Sequence, residues 1–159
     1  MRKLCAMAMA AALAVLMGPA RAAEEAFDAC EVFTQADAEK ALGVTASTDP
    51  VNPKVKRPRV ILNCTYKGFK DGKRVEATAQ FRFARTDVDA ERAFEEARLQ
   101  FQTKPMLISG TQAFWSGKTG QMNLRKGRTW ITLAVGSERP SERDPGDARK
   151  VAEALAKKL

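Results

Sequence analysis

The chain has 159 residues and contains no histidine. Histidine is the commonest general base near neutral pH and the commonest ligand of transition metals, so its absence argues against most acid–base and metal chemistry. The chain also lacks an apolar run of the roughly 20 residues that a membrane-spanning helix needs. We therefore expect a protein that is not an enzyme, that has no metal or cofactor site, and that keeps no transmembrane segment once its N-terminal signal is removed.

The longest apolar run, residues 4–17, lies at the N-terminus and is too short to span a bilayer. Arg2 and Lys3 precede it, and Ala20-Arg21-Ala22 follows it as an A-x-A cleavage site. This pattern predicts a cleaved signal peptide at residues 1–22 and a single domain at 23–159. The expected location is the periplasm or the extracellular medium.

Cysteine is scarce, and no two cysteines form the C-x-x-C spacing typical of redox and metal sites. Cys5 lies in the predicted signal, so the mature chain keeps only Cys30 and Cys64. An even number of cysteines in an oxidising compartment favours a disulfide. Closing a loop of about 35 residues stabilises a fold by about 3–4 kcal/mol when the geometry is unstrained. We predict a structural disulfide between Cys30 and Cys64.

The chain carries a surplus of positive charge. The net charge is +8, and it falls to +5 without the signal, which holds three basic residues and no acidic one. A basic surplus favours association with anionic partners but does not determine the fold. The densest basic run lies between prolines that hold a chain extended, and we interpret it as a candidate contact surface; its residues are Lys54, Lys56, Arg57 and Arg59.

Aromatic residues are absent from this basic run, so the stacking platform of single-strand nucleic-acid binders is missing. The sequence therefore argues against a nucleic-acid partner. Phe114 and Trp115 are neighbours in a predicted strand, where alternation buries one side chain and directs the other away. Because indoles are enriched at binding hot spots, Trp115 is a further candidate partner contact. A solvated loop and a buried tryptophan are the structural alternatives.

Three helices are predicted from capping residues and a periodicity of 3.6 residues. In the first two, a threonine precedes a carboxylate by three residues, and in the last Asp147 is the predicted N-cap. The predicted helices lie at 35–42, at 87–102 and after Asp147.

Alternating apolar residues predict the strands. Two strands at 60–66 and 75–83 form a hairpin around turn residues 68–72, and a meander of three strands follows at 113–116, 121–125 and 128–135. The segments 44–59 and 137–147 contain prolines and are predicted loops. The fold class is therefore α+β, with an antiparallel sheet of about five strands covered by two or three helices in the order α-β-β-α-β-β-β-α.

The segment from Cys30 through Thr34 and Ala38 to Gly43 resembles the C-x-L-L-T-x-x-E-A-x-x-x-L-G opening of small bacterial envelope proteins of PsbP-like fold. Cys64 is similar to their second cysteine, and residues 110–115 loosely resemble their G-x-G-D-x-A-x-W segment without its Gly-Asp. Many of these proteins are lipoproteins, whereas this chain has no cysteine at the end of its signal. The family shares no known activity, so the resemblance implies a small envelope module and assigns no catalytic residue.

The sequence leads to two functional hypotheses. The first is an exported, non-enzymatic binding or accessory module that contacts an envelope protein or an anionic envelope component. The second is a small secreted hydrolase or transferase that uses carboxylate or Lys/Ser chemistry, because those residue types are plentiful. The sequence names neither a ligand nor an oligomeric state.

Overall fold

The computed structural model of the protein describes residues 27–47 and 61–159. These residues form four α-helices, six strands and one short 3-10 helix. In chain order they are α1 (Ala29–Val32), α2 (Gln35–Leu42), β1 (Ile61–Lys70), β2 (Lys73–Phe83), α3 (Asp87–Gln100), β3 (Met106–Ile108), β4 (Thr111–Ser116), β5 (Gln121–Lys126), β6 (Thr129–Ser137), the 3-10 helix η1 (Pro140–Glu142) and α4 (Pro145–Lys158).

Strands β1 and β2 form the predicted hairpin, but they extend further than the sequence suggested. Cys64 pairs with Ala79, and the pairing continues to Lys70 and Lys73. The turn consists of Asp71 and Gly72 alone, both with positive φ (50° and 73°), as a two-residue hairpin turn requires. The predicted turn over 68–72 was therefore too long, because both strands continue to the turn residues.

The sheet has six strands instead of five. The additional strand is β3, which pairs antiparallel with β4 around a two-residue turn at Ser109 and Gly110. Three residues are too few to show the alternation that identified the other strands. The three strands of the predicted meander are β4, β5 and β6.

All neighbouring strands are antiparallel, and their order across the sheet is β1-β2-β6-β5-β4-β3. The hairpin and the meander thus join along β2 and β6, where Ala79 lies opposite Leu133. This central pairing makes one continuous sheet from two local units.

Helix α2 follows its sequence signal closely. The side chain and backbone of Thr34 and Asp37 form a reciprocal capping box, and Gly43 ends the helix in the left-handed conformation. Helix α1 was not predicted, since four residues show no helical period. The N-cap of α4 is Asp144 and not Asp147, because Pro145 occupies the first helical position, where a missing N–H costs little.

One face of the sheet, here called the front face, carries the main core. Helices α1, α2 and α4 pack on it and bury small and aliphatic residues of α4, among them Val151 and Leu155. The disulfide between Cys30 and Cys64 is present and joins α1 to β1. It confirms the predicted pairing and is compatible with export to an oxidising compartment.

The opposite face, here called the back face, is covered only in part. Helix α3 packs against β5 and β6, where the ring of Phe94 lies 4.9 Å from that of Phe114 and 5.9 Å from that of Trp130. On the same face of β1, the side chains of Ile61, Asn63 and Lys67 are exposed. No described element therefore lies over the β1 side of the back face.

Candidate functional site

The uncovered part of the back face is lined by polar side chains from β1 and β2. Alternation along each strand directs every second residue to this face, and the register places Asn63 opposite Gln80 and Thr65 opposite Thr78. Arg82 follows at the end near α3. We call these five residues the open face: Asn63, Thr65, Thr78, Gln80 and Arg82.

Arg82 is held in one orientation by two neighbours. Its guanidinium carbon lies 4.6 Å from the centre of the Trp130 ring, and its Nε donates a hydrogen bond to Oε1 of Gln80 at 3.0 Å. Stacking of a guanidinium on an indole is favourable because the ring face carries negative charge. The contact on Trp130 and the bond to Gln80 together fix the guanidinium plane before any ligand arrives.

The indole of Trp130 is held in turn by a hydrogen bond to β5. Its Nε1 donates to Oδ1 of Asn123 at 3.0 Å, and the same oxygen accepts a 3.0 Å hydrogen bond from Thr132. Asn123 and Thr132 are buried, so this amide is a satisfied polar group inside the sheet. The position of Arg82 therefore depends on a network that reaches from β2 across β6 to β5.

Arg82 differs from the other half-buried arginines in its lack of a carboxylate partner. Charges that leave water are normally paired, because desolvation is costly. Among the described residues no carboxylate lies within ion-pair distance of Arg82. Within residues 27–47 and 61–159, the three other half-buried arginines pair with glutamates: Arg98 with Glu95 at 2.7 Å, Arg125 with Glu91 at 3.8 Å, and Arg143 with Glu76 at 3.0 Å.

The hydrogen bond from Nε to Gln80 leaves the two terminal amino groups of Arg82 without an acceptor among the described residues. A guanidinium presents a planar fork of donors that matches a carboxylate or a phosphate. Four residues along β2 from Arg82, about 14 Å at 3.4 Å per residue, the hydroxyls of Thr65 and Thr78 lie 3.0 Å apart, and the amide of Asn63 between them and Arg82 is exposed. The open face therefore offers one cation and several neutral hydrogen-bonding groups to an anionic ligand.

Titratable groups with shifted pKa values lie away from the open face. Burial opposes ionisation of Asp37, but hydrogen bonds from Lys158 and Thr34 outweigh it and lower the pKa. A hydrogen bond from Ser137 lowers the pKa of Glu142, and burial raises the pKa of Tyr66. Each of these shifts favours the form that the group already has at neutral pH. They therefore do not produce the near-neutral pKa expected of a general acid or base.

Two cavities of several hundred Å³ also lie outside the open face. One of about 360 Å³ lies at the end of β6 and is lined by Lys73, Arg74, Ser137, Glu138, Arg139 and Glu142. The other, of about 460 Å³, lies between α3 and β3 and is mainly apolar, with Phe94, Pro105, Met106 and Leu107 in its wall. The first brings a lysine and a serine together, as the enzymatic hypothesis requires.

Of the candidate contacts from the sequence, Trp115 lies within the described residues, and it is not part of the open face. The basic run Lys54, Lys56, Arg57 and Arg59 lies outside the described residues, so its role stays a prediction. Trp115 is half-buried and packs against the core of the front face. Its neighbour Phe114 is fully buried on the back face, where it contacts Phe94 of α3. A partner contact by Trp115 likewise stays a prediction.

The contact between Arg82 and Trp130 was not predicted from the sequence. The alternating burial along β2 puts Arg82 on the polar side of the strand, but nothing local indicates that β2 pairs with β6 and not with β3 or β4. The register that sets Arg82 opposite Trp130 follows from this long-range pairing.

Comparisons with protein-family models, with curated protein sequences and with solved structures found no match to this chain. Of the helices in residues 27–47 and 61–159, none has both the length and the apolar character needed to cross a bilayer. Within those same ranges, acidic and cysteine side chains nowhere gather in a group of three that could hold a metal ion.

Proposed function

We propose that this protein is an exported, non-enzymatic binding module of the cell envelope, and that Arg82 on the open face anchors a carboxylate- or phosphate-bearing component. The observation that carries the proposal is the orientation of Arg82, which is fixed by Gln80 and Trp130 and has no carboxylate within reach among the described residues. A guanidinium whose plane is fixed and whose terminal N–H groups have no acceptor among the described residues is oriented to bind a carboxylate or a phosphate.

The neutral groups along the open face support recognition of a polar ligand. Asn63 and Gln80 provide amides, and Thr65 and Thr78 provide hydroxyls, on two adjacent strands of a rigid sheet. Binding groups on strands are positioned more accurately than groups on loops, so less ordering accompanies binding. These features fit a ligand with one acidic group and several hydroxyl or amide groups.

The hydrolase or transferase alternative has weaker geometric support. Lys73 and Ser137 line one cavity, as a Lys/Ser mechanism would need. However, Oγ of Ser137 donates to Oε2 of Glu142 at 2.9 Å and accepts from the backbone N–H of Arg139 at 3.1 Å. The hydroxyl proton therefore points to Glu142 and not to Lys73, which argues against the Lys/Ser form of this alternative. For the carboxylate form, the lowered pKa of Glu142 makes it a weak base.

The test is photocrosslinking in intact cells with a photoreactive residue at Thr78. A second probe at Arg149, an exposed residue of α4, controls for capture that does not depend on the open face. We expect the Thr78 probe to capture one envelope component and Arg82→Gln to reduce this capture about ten- to a hundredfold, since losing a charge-assisted contact costs about 1.5–3 kcal/mol. Arg92→Gln, which removes an exposed arginine of α3, is the matched control and should leave capture unchanged.

Two further arms separate the hypotheses. If neutralising Lys54, Lys56, Arg57 and Arg59 abolishes capture while Arg82→Gln does not, the contact surface is the basic run and the open face is not the site. If the captured component changes mass on incubation with the wild-type protein, the enzymatic alternative replaces the binding proposal. Equal capture by wild type and Arg82→Gln would also contradict the proposal.

A further inference from the structure

The β1–β2 hairpin ends in a tip, which we define as residues 67–74. Lys67 and Gly68 still pair with Ser47 and Ala46, and residues 69–74 extend beyond that pairing. Strand β6 pairs with β2 only from Val75 onward, so Lys73 and Arg74 extend beyond the rest of the central sheet. The two-residue turn at Asp71 and Gly72 keeps this end narrow. Phe69 lies eight residues along β1 from Ile61, the partner of Arg82, which is about 27 Å at 3.4 Å per residue. The ring at the tip is therefore far from Arg82, although Lys67 follows Thr65 of the open face by only two residues.

The tip carries the most exposed aromatic side chain of the described residues. Phe69 is 67% exposed. The other seven phenylalanines are buried or half-buried. The remaining large apolar side chains with high exposure are all aliphatic and lie elsewhere: Ile61, Val88, Leu99 and Leu107. A fold that shields every other phenylalanine thus leaves this one exposed to water near the turn of the hairpin.

Basic residues surround Phe69. Lys67, Lys70 and Lys73 have no ion pair among the described residues, and Arg74 lies opposite Phe69 in the register. The one ion pair of Arg74, to Glu138, is 3.8 Å long between side chains that are 68% and 50% exposed. Such exposed pairs contribute little. With Asp71 as its single acid, the tip carries a net charge of +3 over eight residues.

We propose that the hairpin tip docks on an anionic lipid surface, with Phe69 entering the headgroup region and the surrounding cations contacting lipid phosphates. Aromatic rings favour the membrane interface, and each lysine or arginine near an anionic surface strengthens binding. One ring and four cations give reversible attachment that needs anionic lipid, because a single small apolar anchor holds a protein only weakly.

The shape of the tip favours a lipid surface over macromolecular partners. A stable protein interface buries roughly 800 Å² on each partner, which needs a broader surface than the end of a two-stranded hairpin. A nucleic-acid strand is bound by several stacked aromatics along a groove, and the tip presents one ring. A lipid surface requires only a small projecting element that places apolar and basic groups at the same depth.

The first test is binding to vesicles of phosphatidylglycerol and phosphatidylcholine, compared with phosphatidylcholine alone. We expect binding only to the anionic vesicles. Phe69→Ala should weaken it about tenfold. Replacing Lys67, Lys70 and Lys73 together by glutamine should weaken it about a hundredfold, at about fivefold for each cation. All samples share one N-terminus, so any lipid affinity of residues 4–17 is common to them.

Matched variants control for hydrophobicity and for net charge. Leu99→Ala removes a side chain that is 63% exposed on α3, away from the tip. The triple change Arg85→Gln, Lys104→Gln and Lys157→Gln removes the same charge from three exposed positions outside it. Both controls should remain within about threefold of wild type. Equal weakening by the control triple would show that general charge attraction, and not the tip, causes binding.

A second measurement reports on Phe69 directly. Phe69→Trp should shift its emission to the blue on anionic vesicles and should be quenched by lipids brominated near the headgroup, beyond the change seen in wild type. An unshifted emission, or Phe69→Ala binding as well as wild type, would overturn the proposal. So would release by inorganic phosphate beyond that by sodium chloride of equal ionic strength, since this would indicate a phosphate site instead of a lipid surface.

Discussion

At the scale of single residues, the carboxylate of Asp37 connects two helices that are distant in the chain. It accepts hydrogen bonds from the backbone N–H and the hydroxyl of Thr34 at 2.9 and 2.7 Å, and it pairs with Nζ of Lys158 at the end of α4. The cap was predictable, because threonine and aspartate three residues apart are a local signal. The link to Lys158 was not, because it depends on the packing of α2 against α4.

This arrangement predicts a pH-dependent contribution to stability. Since the pKa of Asp37 is lowered in the folded protein, its stabilising effect is complete above the unfolded value of about 4 and disappears as the pH falls through the lower, folded value. Asp37→Asn should cost about 1–2 kcal/mol in free energy of unfolding at pH 7, from the cap and the ion pair together. The difference from wild type should shrink below about pH 4.

Urea unfolding of both proteins between pH 2.5 and 7 measures this effect. Glu153→Gln, which removes an exposed carboxylate paired with Arg149 on α4, is the control and should change stability by less than about 0.5 kcal/mol. If the Asp37→Asn difference were the same at every pH, ionisation of Asp37 would not be its cause.

At the scale of elements, length determined which strands and helices could be predicted from the sequence. Long alternating strands such as β2 were predicted nearly to their ends, and the meander from β4 to β6 was predicted in order. Strand β3 and helix α1 were missed, because three or four residues carry no period. The predicted cap at Asp147 was wrong, since the competing pair of Asp144 and Pro145 begins the helix one turn earlier.

The β4–β5 turn gives a prediction at this scale. Gly120 has a φ of 58°, and a Cβ there would overlap the carbonyl oxygen of Pro140 in η1 and lie 2.9 Å from its carbonyl carbon. Gly110 in the β3–β4 turn also has positive φ (77°), but a Cβ there would meet no atom within 4 Å. Gly110→Ala should therefore cost about 1 kcal/mol from backbone strain alone.

Gly120→Ala should cost about 2–4 kcal/mol, because the steric overlap with η1 adds to the same backbone strain. The free energy of unfolding from urea titration compares the two variants directly. Equal losses at Gly110 and Gly120 would show that η1 moves aside without cost, which would contradict close packing of the turn against Pro140.

At the scale of the whole molecule, the central pairing of β2 with β6 unites the hairpin and the meander. The fold class and most elements were predictable from local patterns, but the strand order was not, since the sequence does not state which strands meet across long separations. The open face and its Arg82–Trp130 contact follow from that order and were missed for the same reason.

A single sheet predicts a single unfolding transition. Trp115 packs on the front face and Trp130 on the back face, so Trp115→Phe leaves a reporter for one side and Trp130→Phe a reporter for the other. In each variant, tryptophan fluorescence and far-UV circular dichroism should give the same urea midpoint, as two-state unfolding requires. Fluorescence that changes before the circular dichroism in either variant would show that one face opens independently.

The pairing of β2 with β6 also has a consequence for the rate at which the protein folds. Ala79 and Leu133 meet across more than 50 residues of intervening chain, whereas every other strand pair is joined by a short turn. Contacts between distant positions require closure of a long loop before they contribute, and sheets built on them fold in milliseconds to seconds. Until β6 has been synthesised, the edge of β2 away from β1 has no neighbouring strand. The last third of the chain therefore controls when the sheet becomes continuous.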